Sequence, residues 1–237
     1  MKQFLFILIL SFAPSCWATW TTVQAPTAAA CSAATACLST VSSTGSSHLL
    51  TVTALSINSA DAVSSCCSAG CASSWTQGPN ITGGGPGGHS GAAELWYCLN
   101  SASGATSIGP TWLDTNIHQT AVREFSSSTG SIALDTGSTP TCTGQGTSQN
   151  PVQCSLTPST HNDVYIIGNS FANVLSACSQ SFTCTFPAGN GEGYKINQVS
   201  YAATTWTGNN NVDFVDVSAA FQEAFPRTQV GGFLVGP

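Results

Sequence analysis

Four glutamates, Glu94, Glu124, Glu192 and Glu223, are the residues from which acid–base chemistry would have to be assembled in this chain. Hydrolysis of a glycosidic bond needs two carboxyl groups, about 5 to 9.5 Å apart, on either side of the sugar. The spacing pairs none of the four. Glu94 lies inside a strand-like run and Glu223 follows another, positions expected of outward-facing, solubilising residues. The segment Gly88, His89, Ser90, Gly91, Ala92 has the small neighbours that a nucleophilic serine needs on a sharp strand-to-helix turn. Its register fails, because Ala92 stands where the motif requires glycine and no helical pattern follows, so the segment reads as a flexible loop. His48, His89, His118 and His161 never approach the spacing that sets two imidazoles on one face, and they read as surface or loop-capping residues. Hard oxygen ligands for calcium are present at Asn209, Asn210, Asn211 and Asp213, or at His161, Asn162 and Asp163. Both segments suit turns equally, since Asn and Asp tolerate left-handed backbone. No catalytic residue, metal ligand or cofactor is assigned, calcium being the alternative.

Aromatic rings are the other handle for chemistry. Trp75, Trp96, Tyr97, Trp112, Tyr201 and Trp206 offer flat faces on which sugar C–H edges stack, with burial as the competing use. Trp96 and Tyr97 are neighbours and must point to opposite faces of a strand, so at most one belongs to the core of that sheet. Trp75 and Trp206 adjoin Gly- or Asn-rich loops and are the expected exposed pair; with Tyr201 they form the candidate binding set.

Cysteine usage and the N-terminus speak to location. A lysine at position 2, an apolar run over residues 4–13 and small residues to Ala18 have the order of a secretory signal peptide, expected to span residues 1–18. A lipid anchor on Cys16 is the alternative, although Ala13, Pro14 and Ser15 fit a lipoprotein box badly. The apolar run is about half of the roughly twenty residues a membrane span needs. Beyond Cys16 stand Cys31, Cys37, Cys66, Cys67, Cys71, Cys98, Cys142, Cys154, Cys178 and Cys184, an even set that favours disulfides in an oxidising compartment. Short spacings suggest Cys31 with Cys37, Cys142 with Cys154, and Cys178 with Cys184. Adjacent Cα atoms sit about 3.8 Å apart across a trans peptide, short of the usual disulfide separation of about 5.5 Å. Cys66 and Cys67 are therefore expected to take Cys71 and Cys98, one each. A four-thiolate zinc site is the competing reading of this last group.

The elements that must position these residues are strands. Charged residues make up only 6% of the 237 residues, against roughly a quarter in an ordinary soluble domain. Hydrophobic residues at 42% are nonetheless enough for a core. A net charge of −6, with four basic residues and no basic cluster, leaves nothing to neutralise a phosphate backbone and excludes nucleic acid as a partner. No stretch keeps a helical period, whereas residues 48–58, 92–99, 120–126, 132–135, 164–167, 194–201 and 212–221 carry the β-branched or alternating pattern of strands. In the last, Val215, Val217, Ala219 and Phe221 share one face. Residues 75–91 and 135–160 are rich in Gly, Pro, Ser and Thr and read as loops. No composition shift divides the chain and no internal repeat aligns, so residues 19–225 are taken as one domain, followed by a mildly apolar tail over 226–237.

The order of HLLTVTALS, a Gly-rich stretch, LWYCLNSASGATSI, AVREFS, ALDTGS, STHNDVYIIG, GNGEGYKI and VDVSAAFQE resembles a loosely defined family of secreted bacterial β-sandwich modules. The resemblance rests on strand pattern and short phrases and carries no catalytic signature. It implies an all-β, antiparallel sandwich of jelly-roll or immunoglobulin-like type, here stapled by more cysteines than such modules usually carry. The expected function is a non-enzymatic structural or adhesive one at the cell surface or outside the cell. A carbohydrate-binding protein using exposed tryptophan is the alternative, and a secreted hydrolase with a dispersed site the third. Glycans, other surface proteins or further copies of the chain are the expected partners.

Overall fold

A computed structural model of the chain describes residues 19–224, apart from 33, 57–61, 68, 85–89 and 160–161. The expected signal peptide, Cys16, His89, His161 and the tail over 226–237 lie outside the described residues.

The structure is all-β, and two six-stranded antiparallel sheets dominate it. The first sheet is built from β1 (Trp20–Gln24), β2 (Ala29–Cys31), β4 (Leu49–Ser56), β6 (Thr76–Gly84), β7 (Ser90–Cys98) and β10 (His118–Ser127). The second comprises β11 (Ile132–Leu134), β12 (Thr141–Ser148), β13 (Asp163–Phe171), β15 (Thr183–Thr185), β16 (Gly191–Gln198) and β18 (Val212–Glu223). Three short ladders lie outside them: β3 (Ser39–Thr40) with β8 (Ser107–Ile108), β5 (Val63–Ser65) with β9 (Thr111–Trp112), and β14 (Leu175–Cys178) with β17 (Trp206–Gly208). All seven strands expected from the sequence are present, as β4, β7, β10, β11, β13, β16 and β18.

Each sheet comes from one half of the chain, and the two halves have the same wiring. In the first, strand order runs β1–β10–β4–β7–β6, with β2 also on β10; in the second it runs β11–β18–β13–β16–β15, with β12 also on β18. An interrupted edge strand, written once per half as β1/β2 and β11/β12, pairs with the half's last and longest strand. The crossovers correspond as well, since β5 pairs β9 in one half and β14 pairs β17 in the other. Cys31 and Cys142 both sit in the second part of the interrupted edge and each bonds a cysteine just beyond it, Cys37 and Cys154. Thr111-Trp112 leads to Asn116 as Thr205-Trp206 leads to Asn210, and both tryptophans are buried. The chain thus contains an internal repeat, correcting the expectation of none. Its trace is in connectivity, with only this T-W-x-x-x-N echo left in the residues.

The inner faces of the sheets pack together. Leu49 and Leu55 of β4, Leu95 and Tyr97 of β7, and Phe125 of β10 meet Val164 and Ile166 of β13 and Val215, Val217, Ala219 and Phe221 of β18 in one core. Tyr97 and Phe221 make an edge contact with centroids 5.1 Å apart. The expected core face of β18 is therefore the real one. Across this layer Arg123 of β10 pairs with Glu192 of β16, both buried, and Thr185 shares the carboxylate. Trp20 of β1 is fixed to the opposite sheet at both ends, its indole donating to the Asn162 carbonyl at 2.8 Å and its backbone N–H to Asn197 Oδ1 at 2.7 Å.

The outer faces are buried too. The strand order forces the connections to cross over each sheet, and the inner face is occupied, so they run outside. Leu50 and Val52 of β4, with Val122 of β10, lie under Val41 and Ile108; Ala54 and Ala92 lie by Trp112. Tyr165, Ile167 and Phe171 of β13, with Ala220 of β18, lie under Leu156, Leu175, Phe182 and Trp206. This explains why β4 is aliphatic on both faces and wholly buried. Strands β6 and β12, in segments expected to be loops, are edge strands with poor propensity. Pro79 falls at the irregularity in β6 between Gln77 and Asn80. In β12 a Cβ at Gly144 would sit 2.7 Å from Asp216 Oδ1 and one at Gly146 2.9 Å from the Phe214 ring, so glycine at alternate positions makes room for the neighbouring strand's side chains.

Candidate binding site

Five disulfides close among the described residues, and three are those the spacing suggests: Cys31–Cys37, Cys142–Cys154 and Cys178–Cys184. The other four cysteines correct the expectation. Cys71 bonds Cys98, their Cα atoms 5.8 Å apart, and Cys66 bonds its neighbour Cys67 across a cis peptide with Cα atoms 3.1 Å apart. The 3.8 Å separation assumed above holds for a trans peptide alone. Cys98 ends β7 beside Cys71, whose backbone bridges Ser101, and this leaves Cys66 and Cys67 to each other. Zinc coordination by these four thiols is overturned with the pairing.

The Cys66–Cys67 cystine and Cys71 line a surface concavity of about 270 Å³. Trp75, Ala69, Ser73 and Ser74 complete its lining together with Cys66, Cys67 and Cys71. The Trp75 indole N–H donates to the Ala69 carbonyl at 2.9 Å, which fixes the ring against the loop. Trp75 is half-buried, packed against the Leu50, Val52 and Ile108 cluster on the outer face of the first sheet. Backbone bonds from Ala72 N to Asn100 O (3.0 Å) and from Ala102 N to Gly70 O (2.9 Å) tie the loop to the chain after β7.

Trp206 does not join it. It is fully buried on the outer face of the second sheet, its indole donating to Gln153 Oε1 at 2.8 Å, which corrects its expected exposure. The polar neighbours that suggested a surface position are the crossover laid over it. Tyr201 is half-buried in the same cluster; its hydroxyl donates to the Cys154 carbonyl at 3.0 Å and its ring meets Tyr165 edge-on. Burial pushes its phenol up to about 12. Trp75 therefore shares no face with the other two candidates. Trp96 and Tyr97 divide as expected, with Tyr97 in the inter-sheet core and Trp96 on the outer face, bonded to Glu94 at 3.1 Å.

The acids are inside. Asp61 lies outside the described residues; of the others, Glu94, Glu124, Asp135, Asp163, Glu192, Asp213, Asp216 and Glu223 are all buried, and Asp114 is partly so. Glu94 and Glu223, expected to face solvent, are 0% and 1% exposed. Each of the four glutamates is held by its own donors. Glu94 accepts from Val63 N, Gln77 and Trp96; Glu124 from Gly45 N and Gln24, with His48 Nδ1 at 2.7 Å; Glu223 accepts from Ser128 N. Glu192 is held by Arg123 and Thr185. His118 is likewise interior, stacked on Trp112 with centroids 4.2 Å apart and paired with Asp114 at 2.7 Å. The two basic side chains among the described residues are also engaged: Arg123 is buried, and Lys195 donates to the Gln180 carbonyl at 2.9 Å.

The calcium candidates separate in the same way. Asn209 closes a turn, accepting from Val174 N and donating to Asn173, while Asp213 accepts from Thr147. Asp163 is fully buried on the outer face of the second sheet, and burial, with repulsion from Asp135, pushes its carboxyl up to about 8. Asp216 on the same face is pushed up to about 7 by burial. Among the described residues no group of three or more His, Cys, Asp or Glu side chains is placed to hold a metal ion, and no helix is long and apolar enough to cross a membrane.

The vicinal cystine is hidden in the sequence because Cys71 and Cys98 are brought together only by the fold, and the Arg123–Glu192 pair and the interior carboxylates because they depend on how the two sheets face each other and on which outer faces the crossovers cover. The one available signal was the 6% charge content, too low to cover a surface and yet sufficient to be used inside. No protein-family model, no curated protein and no solved structure matches the chain.

Proposed function

We propose that the protein is an exported, non-enzymatic module of the cell surface or extracellular space, structural or adhesive in role, whose contacts are made with neutral partners. The observation that carries this reading is the interior placement of eight carboxylates, which leaves a described surface of Ser, Thr, Asn, Gln and Gly with scattered apolar residues. Such a surface associates through hydroxyl and amide hydrogen bonds and apolar contact, which salt screens little. Five disulfides and two doubly covered sheets supply durability outside the cell. The antiparallel two-sheet architecture is compatible with the secreted bacterial sandwich modules that the strand phrases resemble.

The test is co-sedimentation of the purified chain with insoluble neutral polysaccharides, and its self-association by analytical ultracentrifugation, from 10 mM to 1 M sodium chloride. Association that varies less than about twofold over that range is expected. Binding confined to charged polymers and abolished by salt would overturn the proposal.

A further inference from the structure

The internal repeat separates what the scaffold needs from what has been added to it. Between β14 and β15 the second half turns in four residues, whereas between β5 and β6 the first half uses ten, residues 66–75. The interrupted-edge disulfide is common to both halves, and the second half's short turn is itself closed by Cys178–Cys184; the longer loop differs in length and in carrying two disulfides, Cys66–Cys67 and Cys71–Cys98. A loop that a common framework does without, covalently pinned and bearing a half-buried tryptophan, is built to present something.

We propose that the concavity formed by this loop is a subsite for one pyranose ring of a neutral glycan. This rests on the module reading above and names the ligand for one patch of its surface. Among the described residues no charged side chain lines the concavity, which disfavours ionic ligands. The lining is more polar than apolar: the exposed Ser73 and Ser74 hydroxyls lie at the rim for the hydroxyl groups of a sugar, and the Trp75 ring with the sulfurs of Cys66, Cys67 and Cys71 supplies the smaller apolar share for its C–H face. The volume of about 270 Å³ corresponds to roughly nine waters at about 30 Å³ each, the scale of a single hexose. The two disulfides and the bond from Trp75 to Ala69 hold the walls in place before the ligand arrives, so little ordering opposes binding.

Titration calorimetry and saturation-transfer NMR with cellohexaose, laminarihexaose, xylohexaose, mannohexaose and chitohexaose test the subsite on the full chain. Binding of at least one is expected, with affinity lowered tenfold or more in Trp75→Ala, largely retained in Trp75→Phe, and lowered about threefold in Ser73→Ala/Ser74→Ala. Unchanged circular dichroism establishes that the variants are folded. Heparin should not compete. Undiminished binding by folded Trp75→Ala would overturn the subsite and move the sugar elsewhere. Failure of the wild-type chain to bind any of the five, while its salt-independent association persists, would overturn the subsite and leave the module reading standing; loss of both would remove the two together.

Discussion

Asp163 gives the interior carboxylates their sharpest consequence. Its side chain is 0% exposed, and neither carboxyl oxygen has a hydrogen-bond donor in place. Burial first, then repulsion from Asp135, pushes it up to about 8; the neighbouring Tyr165 hydroxyl, out of alignment for a good hydrogen bond, offsets little. In the unfolded chain an aspartate titrates near 3.9. Between about pH 4 and 8 the folded protein therefore holds a proton that the unfolded chain releases, and stability falls as pH rises through that window by roughly 1.4 kcal/mol per unit. The contribution is complete below about pH 4 and lost above about 8. Asp216, pushed up to about 7, acts in the same direction over most of the range. From pH 5 to 7 each group should remove roughly 2 to 3 kcal/mol, and at about 2 to 4 °C per kcal/mol the two together lower Tm by about 10 °C or more. Asp163→Asn cannot ionise and should lose about half of that slope, melting above the wild type at pH 8. Circular-dichroism melts at pH 4 to 9 measure both. A wild-type Tm that rises from pH 5 to 8, or a variant with the parental slope, would refute the reasoning.

Other expectations follow from the packing and the disulfides. A Cβ at Gly168 would lie 2.4 Å from Thr53 Cγ2 where the sheets face each other, so Gly168→Ala should cost about 1 to 3 kcal/mol in urea unfolding. Arg123→Met and Glu192→Leu should each destabilise by about 3 to 5 kcal/mol by stranding a buried charge, and the double variant should recover most of the loss; additive losses would contradict the pairing. Non-reducing peptide mapping should recover Cys71 joined to Cys98 and an internal link between Cys66 and Cys67, and a peptide joining Cys66 or Cys67 to Cys98 would show this pairing to be wrong.

The strands that carry the core were legible because burial on one or both faces leaves a periodic apolar pattern: β4, β7, β13 and β18 are the clearest. Edge strands escaped detection where ladder hydrogen bonding alone defines them, as with the Thr/Gly run of β12 and the proline-containing β6. Trp206 was misplaced for a related reason. Local polarity around it reflects the crossover it sits in, while its burial is decided by the sheet beneath. Trp75 has a similar sequence context but lies on a loop that the second half lacks. Glu94 reads as solvent-facing because alternation within a strand assumes that one face is wet, and Glu223 because it follows the last strand-like run, whereas β18 runs through it and neither face is wet. The repeat was invisible because so few residues in the two halves retain a common identity, although their connectivity is the same.

The central claim, that the acids are turned inward and recognition falls to neutral groups, is tested most directly by carbodiimide labelling of carboxyl groups in the native protein, read by peptide mass spectrometry. Asp114, with 18% of its side chain exposed, should be labelled, whereas Glu94, Glu124, Asp135, Asp163, Glu192, Asp213, Asp216 and Glu223 should react only after unfolding and reduction. Rapid labelling of several of those eight in the folded chain would put charge back on the surface and contradict the account.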